Sequence, residues 1–455
     1  MKRPGERWQA GDAPPSSSYT RPMLRPYPVA PLLAILLLHT CGGCTGSGPD
    51  RAPLARHLLL VTFDTTRADH IGCYGMRAGV TPCIDALASA GVVFEDAMTP
   101  VPITLPAHTS LLTGTFPPHH GVHDNGTFAL TEEATPLAEM LAADGFATGA
   151  FVSARVLDRR YGLAQGFDVY SDVPRTPGPD GRYAVELPAA QVVDRTIEWI
   201  DGLDDLGEQR FFAWVHLFDP HSPYTPPPAF AERFPDERYL AEIAYADSQL
   251  GRLVSFLEER RALDDTLVVM TSDHGEGLGE HGEETHSLLV YQPTLHVPLV
   301  FRHPGLPRGT RVAAPVTLVD VVPTVLAALG TDAPAAAACQ GLDLFGSDGI
   351  PGDRELYFET EFPLHNFGWS ALRGSRRGAS KYTLAPRSEL FDLSDDPGEL
   401  DNRLTEGSPE TGELEADLAT LRAALGQGAV AADRTELSPE TLRDLEALGY
   451  ASAVD

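Results

Sequence analysis

The sequence predicts an α/β layered fold around a large, mostly parallel sheet, followed by a small antiparallel α+β unit. Three observations carry this expectation. From about residue 54 onward, apolar strand-like runs alternate with segments of helical period, the mark of βα units wound onto one sheet. Two of those runs, 58–63 and 266–272, each stop at an aspartate. Beyond residue 352 the runs become short, as in a smaller antiparallel unit.

Taken in order, residues 1–50 hold a lead and a linker. Arg21 and Arg25 precede an apolar run at 29–38, and Cys41, two glycines and Cys44 follow it. The run falls short of the roughly 18 apolar residues of a spanning helix and has the shape of an export signal. An exported protein of the periplasm or cell envelope is expected. The signal is either plainly cleaved or processed at a lipidated cysteine, with Cys44 better placed than Cys41, and any contact with a membrane runs through that anchor alone. Met23 is an alternative start.

The main domain is expected at 54–335, with strands at 58–63, 146–152, 211–217, 266–272 and 297–301 and helices at 82–90, 136–143, 191–203 and 240–260. Gly/Pro/Asp-rich stretches at 174–182, 220–236 and 330–352 read as loops, the last as a boundary. A subdomain at 350–405 follows, with short strands at 355–362, 370–372 and 381–384, then a helical tail at 406–455.

With 43% hydrophobic residues the 455-residue chain can bury a large core. Its 34 Lys+Arg against 64 Asp+Glu leave a net charge of −30, which does not suit a general grip on nucleic acid or anionic lipid. An anionic substrate must be held locally, by a metal or a few donors. The only lysines are Lys2 and Lys381. Cys73, Cys83 and Cys339 stand at no metal-ligand spacing, so disulfides do not organise the domain.

In open α/β sheets ligands gather at the carboxyl ends of strands, so Asp64 and Asp273 point at one site. Either aspartate can also be a simple turn cap, but Asp273-His274-Gly275-Glu276 adds a nitrogen donor beside a carboxylate. Between them, Thr104 reads as the N-cap of a helix with Pro106 in its first turn and Gly114 at its end. A hydroxyl there also sits where free N–H groups favour anions, so beside a metal it can attack phosphorus or sulfur.

The blocks LLLVTFDTTRADH (58–70), TPCIDALA (81–88), TLPAHTSLLTG (104–114), HHGVHDNG (119–126), DPHSPY (219–224), TSDHGE (271–276) and ELFDLSDDP (389–397) resemble, in this order, the sulfatase family of the alkaline phosphatase superfamily. The resemblance spans 58–402. It implies an alkaline-phosphatase-like α/β/α sandwich and a metal-centred esterase that moves a sulfuryl or phosphoryl group through a covalent intermediate. It also implies an anionic ester substrate, small or linked to a glycan or lipid. Asp64, Thr104, Asp273 and His274 correspond to the metal ligands, His221 to a general acid or leaving-group contact, and Asn125 to a donor toward a nonbridging oxygen.

Three departures shape the expectation. Family sulfatases carry Cys-x-Pro-x-Arg at the nucleophile, where cysteine becomes formylglycine; here Thr104, Pro106 and His108 stand there, so formylglycine is excluded. Threonine-bearing branches of the superfamily work on phosphorus. Second, Asp64-Thr65 and Asp273-His274 replace paired aspartates and an Asp-Asn pair, which moves the single divalent metal from calcium or magnesium toward zinc or manganese. Third, the family's substrate-binding lysine is missing, and His286 holds about its place as phosphoryl contact, general acid, second-metal ligand or plain loop histidine. Phosphoester hydrolysis or transfer through Thr104 is the expectation; sulfate-ester hydrolysis without formylglycine and a non-catalytic glycan-binding envelope lipoprotein are the alternatives.

Overall fold

The apolar runs become the middle of a nine-stranded sheet. The computed structural model describes residues 53–174, 185–203, 205–405, 407–435, 442, 443 and 445. The expected lead with Cys41 and Cys44, and most of the tail beyond 435, lie outside the described residues.

Ten strands open the chain: β1 His57–Phe63, β2 Val92–Met98, β3 Phe128–Ala129, β4 Ala147–Val152, β5 Val169–Ser171, β6 Phe211–Leu217, β7 Thr266–Ser272, β8 His296–Arg302, β9 Thr310–Val312 and β10 Val316–Thr317. The sheet runs β10-β2-β8-β7-β1-β6-β4-β5, with β9 also on β2. Pairings are parallel except where β8 joins β2 and β7. Both faces are covered, which is why the central strands are apolar throughout. Leu58 and Leu60 face one core with Phe212, Trp214, Leu267 and Val269, under helices Thr104–Thr113, Leu137–Ala143 and Val321–Leu329. Leu59, Val61 and Phe63 face the other, under Pro82–Ser89, Ala189–Asp201 and Arg238–Glu259. The sequence pattern does not mark β2, because Glu95 and Asp96 interrupt its apolar run.

The second sheet is antiparallel, β11 Glu355–Thr360, β12 Leu372–Arg377, β13 Ser380–Leu384 and β14 Glu389–Asp392. Here the sequence-based expectation needs correction: β12 begins where the strand 370–372 was expected to end, β14 is additional, and Phe362 opens the helix Phe362–Phe367. Short half-exposed strands carry too little period to locate their ends. The tail forms helix Pro409–Leu425, and β15 Asp433–Arg434 pairs with β3.

Register places the site. Phe63 lies level with Leu217 of β6 and Ser272 of β7, so the next residues of β1 and β7, Asp64 and Asp273, emerge side by side. Side chains alternate along a strand, which puts Thr62 and Asp64 on the face of Leu58 and Leu60. His216, level with Thr62, joins that face.

Candidate active site

At the carboxyl ends of β1, β6 and β7 the shared face turns from apolar to polar. Asp64 is fully buried and neither of its carboxylate oxygens has a hydrogen-bond partner. Asp273 Oδ1 accepts from the backbone N–H of Thr65 at 3.2 Å and of His274 at 2.8 Å, whereas Oδ2 has no such partner. His274 donates its Nδ1–H to the Gly275 carbonyl at 2.9 Å. Its bare Nε2 then lies 3.5 Å from Asp273 Oδ2, 3.8 Å from Asp64 Oδ1 and 3.4 Å from Thr104 Oγ1.

Such a set has acceptors facing acceptors, and burying carboxylates without donors or a cation is costly. Burial pushes Asp64 up to about 8 and raises Asp273 as well, the latter helped by the Asp64 charge. A divalent cation removes the conflict, and one donor atom from each of Asp64, Asp273 and His274 lies within 4.8 Å of the others. The residues present fit a metal.

Thr104 is not the N-cap that the sequence predicts. Ile103 occupies the cap and Thr104 is the first residue of the helix, with its hydroxyl 3.4 Å from His274 Nε2. Capping falls instead to Asn125, whose Oδ1 accepts from Leu105 N–H at 2.9 Å. This fixes the amide and leaves Nδ2 buried without a hydrogen-bond partner, a donor one residue from Thr104.

Three histidine rings line up beside the cluster. His286 lies 4.4 Å from His274 and 5.3 Å from His221, centroid to centroid. Burial works to lower the His286 pKa, but the Glu276 carboxylate, 3.1 Å from Nδ1, raises it above the ordinary value. Glu276 is itself held by the Tyr224 hydroxyl at 3.0 Å. His221 is driven down to about 3 by burial and then by the nearby His286 charge. It donates Nδ1–H to the Ser222 carbonyl at 2.7 Å and stacks on Phe218. Asp64, Thr104, Asp273 and His274 are fully buried, whereas His221 and His286 keep 4% and 6% exposure, so these two rings stand on the solvent side.

The sequence motifs assign no role to His216, Thr62 and Glu276. Glu276 follows directly on Asp273-His274-Gly275, and His216 is the penultimate residue of the apolar strand β6, before Leu217. His108 lies behind Thr104, donating Nδ1–H to the Thr104 carbonyl at 2.8 Å. Lys381, the one described lysine, is buried in the second sheet against Glu399 and the Val290 carbonyl, away from this cluster.

A model of the sulfatase family matches residues 56–331. The chain is 26% identical over 426 residues to the ulvan-active sulfatase of Formosa agariphila, with 82% of each chain covered. It is 23% identical over 453 residues to arylsulfatase K of Bos taurus, covering 81% of this chain and 82% of that protein. Among solved structures, the phosphonate monoester hydrolase of Agrobacterium radiobacter shares the fold with a TM-score of 0.66 at 22% identity, over 86% of this chain and 99% of that one.

Proposed function

The chain belongs to the sulfatase family of the alkaline phosphatase superfamily and is a hydrolase of ester bonds; from that premise we propose that Thr104 is its nucleophile and a phosphoester its preferred substrate. The observation that carries the reading is the Thr104 hydroxyl at the helix N-terminus, 3.4 Å from His274 Nε2, a nitrogen that itself lies 3.5 Å from Asp273 Oδ2 and 3.8 Å from Asp64 Oδ1. Asp64, Thr104, Asp273 and His274 are the residues that hold a divalent cation, zinc or manganese by the mixed nitrogen and oxygen donors. When bound, such a cation supplies Lewis-acid chemistry, lowering the pKa of a hydroxyl and offsetting charge on the reacting oxygens.

The protein's own groups divide the remaining work. Thr104 Oγ1 reacts as the alkoxide, its proton released to solvent beforehand, and bonds to phosphorus as the bond to the leaving oxygen breaks. Asn125 Nδ2 donates to a nonbridging oxygen. His286, its pKa raised by Glu276, gives the leaving oxygen its proton. His221, kept neutral, takes a proton from the water that attacks phosphorus, the Thr104–phosphorus bond breaks to give back the Thr104 alkoxide, and the proton passes on to the neighbouring His286, which closes the cycle. An acceptor alcohol in place of water makes the same step a transfer. A threonine ester has no second hydroxyl on its carbon with which to expel the bound group, so release depends on in-line attack, and this favours phosphorus over sulfur.

Sulfate-ester hydrolysis is the second reading, favoured by the similarity to the ulvan-active sulfatase, which also supports a glycan-linked anionic ester. The four ligand-type residues standing together weigh against a non-catalytic glycan-binding role. Paired phosphate, phosphodiester, phosphonate and sulfate esters of one alcohol, assayed with metal content, decide between the readings. The expected outcome is turnover of phosphorus esters and a modified Thr104 peptide on acid quench. Single-step inversion at a chiral phosphorus overturns covalent catalysis. The lead at 29–44 supports export to the envelope; recovery of the uncleaved chain from cytosol removes that part.

A further inference from the structure

Behind the candidate ligands runs a closed set of buried hydrogen bonds whose donors can be counted. His108 Nδ1 lies 2.8 Å from the Thr104 carbonyl, which only accepts, so Nδ1 carries the proton and Nε2 of the neutral ring is bare. That Nε2 lies 3.0 Å from Thr62 Oγ1, so the Thr62 hydroxyl gives its single hydrogen to His108. The Thr62 oxygen then accepts from Trp214 Nε1–H at 3.2 Å. His216 Nδ1, also 3.2 Å from Thr62 Oγ1, meets an oxygen whose hydrogen is already committed, and must itself donate. His216 Nε2 is therefore left with its lone pair outward.

That lone pair is fully buried, has no hydrogen-bond partner, and lies 3.4 Å from Asp64 Oδ2, which has none either. Two ligand atoms each about 2.1 Å from one tetrahedral cation stand roughly 3.4 Å apart. An unprotonated nitrogen held at that distance from an unpartnered carboxylate oxygen has the arrangement of two donors awaiting a shared cation. Asp64 Oδ1 meanwhile faces His274, and since His216 stands outside the group whose donors lie within 4.8 Å of one another, ligation by both imidazoles requires Asp64 to span them with its two oxygens.

We propose that His216 is a second imidazole ligand of the cation held by Asp64, and that the Thr62 hydroxyl is the positioning group that sets its tautomer. The inference rests on the metal-dependent reading above and adds to it a donor that none of the sequence motifs marked. A second imidazole also deepens the preference for a transition metal over calcium, because nitrogen donors suit the former.

The test uses the purified chain, stripped with chelator and reloaded with one equivalent of Cu²⁺. Electron paramagnetic resonance counts coordinated nitrogens through their superhyperfine splitting, independently of turnover. Two nitrogens are expected in the unaltered protein. In His216→Gln one nitrogen is expected, with zinc affinity, measured by chelator competition, weaker on the order of 10- to 100-fold. Added imidazole should restore the second nitrogen in His216→Gly. Thr62→Val, which keeps both rings, should weaken zinc affinity in the same direction. A single-nitrogen spectrum in the unaltered protein overturns the proposal without needing any variant to fold. So does a His216→Gln protein that loses affinity yet keeps its nitrogen count, since His216 then acts only through Asp64. Failure of the unaltered protein to bind any divalent cation overturns the metal-dependent reading itself.

Discussion

Two groups of carboxylates and histidines lie largely buried in this molecule, and they are finished in opposite ways. In the first, at the ends of β1 and β7, Asp64 has two unpartnered oxygens and Asp273 one. In the second, where β11 leaves the small sheet, His123, Glu359 and Glu361 also stand close enough to hold an ion. There every carboxylate oxygen is already engaged. Glu359 binds His123 Nδ1 and the Tyr357 hydroxyl, each at 2.6 Å. Glu361 binds Arg373 with one oxygen and His365 Nε2 with the other, at 3.2 Å. Proximity of ligand types is thus common to both groups. What separates a cation site from a structural network is whether the acceptors have donors, because a buried carboxylate without one costs several times more than a paired one.

The largest expected effect breaks the comparison at the first group. Asp273→Ala should abolish stoichiometric divalent metal and lower turnover on the order of 10³-fold or more, as loss of several kcal/mol of charge stabilisation requires. Metal analysis beside steady-state rates checks it, and full activity would remove the assignment of Asp273. Next, Thr104→Ser should retain both metal and a covalent intermediate, while Thr104→Ala loses the modified peptide altogether; mass spectrometry of quenched turnover samples reads the difference.

At the second group the effects belong to stability. Burial alone would raise the Glu361 pKa, but His365, His123 and Arg373 together hold it below the ordinary 4.5, near 2. A carboxyl with a depressed folded-state pKa contributes stability that is fully present above the unfolded value and is lost as pH falls toward the folded one. Glu361→Gln should therefore destabilise the protein on the order of 1–3 kcal/mol at pH 7, with the gap narrowing from about pH 4.5 downward, while metal content stays unchanged. Urea unfolding at a series of pH values tests both halves. A drop in bound metal in this variant would make the two groups alike and defeat the comparison. The smallest effect is Tyr357→Phe, which removes one neutral donor from Glu359 Oε2 and should cost about 1–2 kcal/mol, again without altering metal content.

The α/β class was legible because the central strands are buried on both faces and the covering helices on one, so their periods stand in the sequence. The small sheet was legible as a unit but not in its boundaries, since its strands are short and half exposed. Local order also marked the aspartates after β1 and β7, the hydroxyl at 104 and the histidine beside Asp273, as each is set by its own strand end or helix start.

What the sequence determined alone is which donor types the chain owns and which elements they end. Which donors are satisfied was decided only by the tertiary structure. Asn125 takes the helix cap that Thr104 was expected to fill, Glu276 raises His286, and His216 meets Asp64 across a strand register 154 residues apart in sequence from Thr62. Hydrogen bonding is a count of donors against acceptors in three dimensions, and no linear spacing of residues supplies that count.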